Sequence, residues 1–279
     1  MKKDQLFVGI CQLRQTYDYE KNLAKALDMV DEAASRGAEI VVFTDMFFTP
    51  YEPKAISQAA YLTNTALQEM ERRASEKNVT IVAGSVPFDE QGKRYLNHSC
   101  VFAPERGEIY HHDKIHLFDC TPPGGPVMKE SEIIRPGNRI GCFQTPWGTA
   151  SVIVCYDIRF PMVTQILADR GVTILFVPGA FSQAAGKAHW EMLMRLRAVE
   201  LQGFVVGVQP AYNPDLRYVP WGHSMVSSPW GDILVDMGQD EGTAVVPLEL
   251  GEITQIRGQF PLLAHRRKDL YSVTWLGEV

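Results

Sequence analysis

The chain has 279 residues, 46% hydrophobic and 22% charged, enough for one large core or two modest ones and unlike a disordered segment. Its net charge of −6 argues against a nucleic-acid binder, which needs a basic face longer than the single run His265-Arg266-Arg267-Lys268. Met1-Lys2-Lys3-Asp4 carries no signal-peptide pattern, no apolar run reaches the ~18 residues of a membrane span, and five scattered cysteines lack metal-ligand or disulfide spacing, so a cytoplasmic protein away from membranes is expected.

Strand-length apolar stretches alternate with helix-length segments, the pattern of a layered α/β protein. Residues 6–13 read as a buried strand. Residues 19–34 follow as a helix, with Leu23, Ala26, Leu27 and Val30 in phase and Gly37 where a C-terminal glycine belongs. A second strand, 39–43, stops at Thr44-Asp45. Residues 65–77 form a second helix, with Leu67, Met70 and Ala74 in phase and Asn78 closing it, and 80–86 form the next strand. Over 95–114 two strands flank Pro104-Glu105-Arg106-Gly107, a hairpin turn. A hairpin inside a helix-alternating chain predicts mixed sheets, not a purely parallel Rossmann arrangement. Gly-x-Gly-x-x-Gly and P-loop patterns are absent.

Residues 149–154 make a near-continuous apolar strand ending at Cys155-Tyr156-Asp157, and a helix is expected over 161–170. The rhythm repeats with a strand at 173–177, a helix at 186–202 and a strand at 204–208, and strands at 225–227, 233–235 and 243–247 close the sheet. Pro146-Trp147-Gly148 and Pro229-Trp230-Gly231 have unlike flanks and read as hairpin turns, each with its aromatic packed over it. Without a linker-like stretch, one domain over 1–279 is expected.

Cys155 is the first candidate for chemistry. A cysteine at the carboxyl end of a buried strand, just before a helix, lies near backbone N–H groups and the positive end of a helix dipole, both of which favour thiolate. The turn also offers the Tyr156 amide as half of an oxyanion hole. An isolated cysteine in an apolar strand is more often inert core packing. Lys114, at the end of a strand, would lower the cysteine pKa and bind a developing oxyanion if its ammonium lay close. His111, His112 and His116 invite a metal reading, but no second cluster supplies the remaining ligands, so neither metal nor organic cofactor is expected.

Phe43-Thr44-Asp45, Lys114 to Asp119 and Cys155-Tyr156-Asp157-Ile158-Arg159-Phe160-Pro161 resemble, in order and spacing, the three catalytic blocks of the nitrilase superfamily of carbon-nitrogen hydrolases. Pro178-Gly179-Ala180-Phe181, Gly186 with Ala188-His189-Trp190-Glu191, Arg197-Ala198-Val199-Glu200, Trp221-Gly222-His223-Ser224 and Pro229-Trp230-Gly231-Asp232 are similar to stretches of its omega-amidase branch. The resemblance implies a four-layer α-β-β-α sandwich with mixed sheets and a Glu-Lys-Cys catalytic set. It also implies a homodimer or higher homo-oligomer, with residues 260–279 as an interface tail. Glu130 matches the family's second glutamate, which would hold the lysine and orient a water.

One departure stands out: the family's Pro-Glu is Thr44-Asp45 here. A carboxylate one methylene shorter is withdrawn by roughly an ångström, a displacement that can cost about a hundredfold in rate. A compensating backbone shift, a slow enzyme and a binding protein on the same scaffold all remain open. The reaction implied is amide hydrolysis. Asp45 accepts the thiol proton as Cys155 attacks, Lys114 and the Tyr156 amide hold the oxyanion, ammonia leaves, and water resolves the thioester. A nitrilase acting on nitriles would use the same residues. The omega-amidase branch implies a short dicarboxylate monoamide, whose carboxylate wants a cation. Arg159, Arg195 and Arg197 are candidates, though each has an acidic neighbour, such as Asp157 or Glu191, with which to pair. Tyr51, Phe181, His189, Trp190 and Tyr212 are the further candidates for lining the substrate site.

Overall fold

The computed structural model describes residues 4–89, 92 and 94–277; Met1 to Lys3 of the N-terminal segment and the last two residues of the expected tail lie outside the described residues. The chain forms an α/β structure of two mixed six-stranded sheets flanked by helices. In the first sheet, β1 (Gln5–Gln12) pairs in parallel with β2 (Ile40–Val42) and β2 with β3 (Thr80–Phe88). Beyond β3 come the antiparallel strands β4 (Leu96–Ala103) and β5 (Gly107–Asp113), the predicted hairpin. A short ladder of β6 (Asp119–Cys120) and β7 (Met128–Lys129) follows.

The second sheet is built on parallel β9 (Gly148–Val152), β10 (Ile174–Pro178) and β11 (Phe204–Val208), with β8 (Phe143–Thr145), β12 (Met225–Ser227) and β13 (Ile233–Asp236) antiparallel at its margins. The last strand, β14 (Gly242–Glu249), does not join it as its position in the chain suggests; it returns to pair with β1, Val8 opposite Val246. Helices α1 (Tyr19–Ser35) and α3 (Thr63–Lys77) belong with the first sheet, α4 (Pro161–Asp169) and α5 (Gln183–Leu201) with the second. Two helices went unread: α2 (Pro53–Ala59), with proline in its first turn, and the nine-residue α6 (Gly251–Gln259). α2 spans only seven residues and α6 buries only Ile253, so neither shows a periodic apolar face.

Strand alternation sorts the core into layers. Leu6, Val8 and Ile10 of β1 meet Val152, Phe176 and Val206 of the second sheet between the two sheets, while Cys11 packs beneath α1. On the second sheet, Leu175, Val177 and Val205 turn outward to α4 and α5. Strands covered on both faces explain the near-continuous apolar runs. Asn78 ends α3 in the left-handed conformation at φ +55°. α5 begins three residues before the expected start, where the Ser182 side chain accepts from the Ala185 amide. Gly186 inside it is required by contact, since a Cβ there would lie 2.3 Å from Trp221. Both Pro-Trp-Gly stretches are hairpin turns, but only Trp147 is buried. Trp230 is 55% exposed and meets the Phe260 ring edge-on at 5.7 Å, because the β12–β13 turn sits at the molecule's edge.

Candidate active site

Cys155 follows β9 and opens the five-residue 3-10 turn Cys155–Arg159, in the left-handed region at φ +49°. For a non-glycine residue that conformation costs on the order of 1–3 kcal/mol and persists only where surroundings impose it. Here they do. The Asp157 carboxylate accepts from the Val154 amide at 3.1 Å and the His116 amide at 2.9 Å, and lies 3.0 Å from His112 Nε2 and 2.8 Å from His116 Nδ1. Burial alone would raise the Asp157 carboxyl, but these partners hold it well below the usual range. Arg197 donates from Nε to the Ile158 carbonyl at 2.7 Å and clamps the turn from α5. Thus His112 and His116 serve this buttress, and Asp157 is not the partner of Arg159.

The charge set lies behind the cysteine. Lys114 is fully buried, its Nζ donating to both Glu130 oxygens at 2.9 and 2.8 Å and to the Tyr51 hydroxyl at 2.9 Å. Glu130 also accepts from the Phe118 amide at 2.6 Å and from Asn97 Nδ2 at 3.3 Å. Burial works against the lysine's charge, but Glu130, Cys155 and Asp45 outweigh it and raise its pKa. Asp45 is fully buried as well. Its Oδ1 accepts from Ser85 Oγ at 2.7 Å and Asn97 Nδ2 at 3.0 Å, whereas Oδ2 is buried without a hydrogen-bond partner. Met46, next in the chain, is left-handed at φ +51°, with its amide donating to Ser85 Oγ at 3.0 Å.

The thiol is not the thiolate its position suggests. Burial pushes Cys155 up to about 12, against the downward pull of Lys114 and the Ala180 amide, which lies 3.5 Å from Sγ. The reason is local: a short 3-10 turn, not a long helix, follows the cysteine, so little dipole offsets the lost solvation. Burial likewise raises Asp45, Lys114 opposing. The resting arrangement is therefore a neutral thiol, a buried ammonium and an Asp45 carboxyl group with one uncommitted oxygen.

A narrow cleft, with free space of only about 10 Å³, opens onto Cys155, lined by Phe118, Tyr156, Arg159, Ala180, Phe181, Ala185 and Tyr218. Of the residues expected there, Phe181, Tyr156 and Arg159 line it, and Tyr51 stands behind, in contact with Lys114. Two expectations are corrected. Trp190 is fully buried behind Phe181, its indole donating to the His223 carbonyl at 2.7 Å, because α5 turns that face to the core. Tyr212 is absent from the lining; its amide donates to Gln239, and Tyr218 occupies the wall instead. His189 is exposed, its Nδ1 3.2 Å from Arg159 Nη1. Arg195 pairs with Glu191 and Arg197 with Glu200, so both are structural. Among the described residues Arg159 meets no carboxylate. Its guanidinium lies 4.8 Å over the Phe181 ring and 5.7 Å over Tyr156, with Nε buried and unpartnered. Ser85, Asn97 and Tyr218 were missed, though Ser85 and Asn97 carry a signal: polar residues within otherwise buried apolar strands.

A cysteine, a lysine and two carboxyl groups meet on a double-sheet scaffold, and comparison supplies the family. The carbon-nitrogen hydrolase pattern matches residues 7–258, so the chain belongs to that family, within the nitrilase superfamily. It is similar to the omega-amidase NIT2 of Bos taurus, 37% identical over 267 residues covering 95% of this chain and 96% of the relative. The Homo sapiens omega-amidase NIT2 is 36% identical over the same shares. Among solved structures, Saccharomyces cerevisiae Nit3 superposes with a TM-score of 0.86 at 27% identity, covering 95% of this chain and 97% of that one. The C. elegans NitFhit protein does so at 0.91 and 27% identity, covering 98% of this chain and 68% of that one.

Proposed function

We propose that the protein hydrolyses the terminal amide of short dicarboxylate monoamides through a Cys155 thioester, releasing ammonia. One observation carries the reading: Cys155 and an arginine without a carboxylate partner share one cleft, backed by Lys114 and a carboxylate oxygen with no partner. Asp45 Oδ2 takes the thiol proton as sulfur attacks the amide carbon, and the proton passes to the departing ammonia. Lys114 and the Tyr156 amide receive the oxyanion. Asp45 then takes a proton from water, which attacks the thioester. Glu130, its oxygens occupied, holds Lys114 in place. The relatives' omega-amidase naming supports the choice of amide over nitrile.

Arg159 selects the substrate's carboxylate in this reading. A hydrogen-bonded charge pair contributes about 1.5–3 kcal/mol, so Arg159→Gln lowers kcat/KM on a dicarboxylate monoamide by roughly ten- to a hundredfold, mostly through KM. It leaves a neutral amide of equal length nearly unchanged. Ammonia-release kinetics on the two substrates checks this, and an equal loss on both removes Arg159 from substrate selection. A wild-type preference for the matching nitrile would replace the amidase reading with a nitrilase.

Asp45 gives a third test. Asp45→Asn keeps size and loses the base, so kcat falls by about 10²–10⁴-fold. Asp45→Glu also loses activity, because a further methylene must be fitted into a fully buried site where the Ser85 and Asn97 bonds hold the shorter carboxylate in register. The base works only when ionised and its pKa is raised, so kcat/KM of the wild type falls, as pH drops, above the ordinary carboxylate range. An acid limb at or below that range, or a Glu variant faster than wild type, contradicts this account.

A further inference from the structure

Away from the cleft, the β4–β5 hairpin gathers a second polar set on its helix-facing side. His98 and Cys100, two apart on β4, project to one face, the face on which Cys100 and Phe102 join the core beneath the helices. The ladder sets Asp113 and His111 of β5 opposite them, and the irregularity between Val101 and Phe102 brings Glu108 round to the same side. Ligand atoms of His98, Cys100 and Glu108 lie within 4.8 Å of one another. His98 is 7% and Cys100 0% exposed. The His98 ring is held by Asp113 Oδ1, 2.6 Å from Nδ1, and by stacking on Phe88 at 4.7 Å. His111 Nδ1 lies 2.9 Å from Glu108 Oε1, with its ring 5.1 Å from that of His98.

The geometry points to a binding site for one borderline-soft divalent cation of the zinc type, held by His98, Cys100 and Glu108, with water or His111 completing a tetrahedron. An imidazole, a thiolate and a carboxylate are a zinc donor set, and the sulfur turns selection away from magnesium and calcium. Cys100 releases its proton to solvent on ligation. Bond lengths of about 2.0–2.3 Å require ligand atoms roughly 3.3–3.8 Å apart, so the set must close slightly. Glu108, its side chain 43% exposed, swings in by giving up its contact with His111. Asp113 supplies the carboxylate-to-histidine contact that orients ligating imidazoles. The next pair along the ladder is Asn97 and Lys114, joined by a 2.9 Å backbone bond, and their side chains enter the catalytic cluster. A cation here braces the hairpin that positions them.

Cobalt(II) is the probe, titrated into the full-length metal-free protein and into its Cys155→Ser variant, which removes the other thiol of interest. Both should bind one equivalent with sulfur-to-cobalt charge transfer in the near ultraviolet, displaced by zinc. Cys100→Ser should lose the band, and Asp113→Asn should weaken binding by about 10–100-fold. Zinc should raise the wild-type Tm and leave Cys100→Ser unmoved. Should Cys100→Ser fail to fold, Glu108→Gln at an exposed position gives the same reading, with at least a tenfold weaker affinity and an unchanged metal-free Tm. No charge transfer in wild type, a band that persists in Cys100→Ser, or an unchanged affinity in Glu108→Gln overturns the site.

Discussion

Cys155→Ser should abolish turnover, by on the order of 10⁴-fold or more, while the protein keeps its fold. Serine preserves size and the left-handed backbone at φ +49°, so the Asp157 and Arg197 contacts that shape the turn have no reason to change. What changes is the nucleophile. The thiol already sits at about 12, and a hydroxyl there is far harder to deprotonate with a single carboxylate. Removing a nucleophile costs nearly the whole advantage of a machinery that acts as a unit. Incubation with an amide followed by intact-mass spectrometry gives the second readout: an acyl adduct on the wild type, none on the variant. A variant with near-wild-type kcat would leave Cys155 as ordinary core packing.

Lys114→Met should lose about 10²–10³-fold in kcat, the range for removing one oxyanion donor. It should also destabilise the fold. Methionine fills the volume of the lysine stem but leaves Glu130 buried at 2% exposure with its principal partner gone. Breaking one side of such a pair typically costs about 3–5 kcal/mol. The double variant Lys114→Met/Glu130→Gln separates the two effects, recovering much of the stability and none of the activity. Circular-dichroism melts and steady-state kinetics of the three proteins decide it. A loss of activity below about tenfold in the single variant would place Lys114 outside the reaction.

Much of the scaffold was legible because its signals are local. Continuous apolar runs mark strands covered on both faces, and the Pro104 to Gly107 turn announces the hairpin. The order of the Asp45, Lys114 and Cys155 blocks likewise lies in the chain itself. The path of β14 was not legible, because a strand's partner is chosen by long-range pairing and its own residues read alike at either sheet. The arginines show the same limit at the site. Arg159, Arg195 and Arg197 look equivalent on paper, yet α5 delivers Arg195 to Glu191 and Arg197 to Glu200 and leaves Arg159 at the cleft.

By itself, then, the sequence determined the alternation of strands and helices, the mixed sheets and the candidates for nucleophile, cation and base. Those follow from side-chain chemistry and from periods of two and 3.6 residues. Only the tertiary structure decided how charged they are and which of them meet. Burial makes Cys155 a neutral thiol in spite of its place at a turn. Ser85 and Asn97, from β3 and β4, tie one oxygen of Asp45 and leave the other without a partner. Solvation and long-range contact are properties of three-dimensional neighbours, and a linear pattern does not carry them.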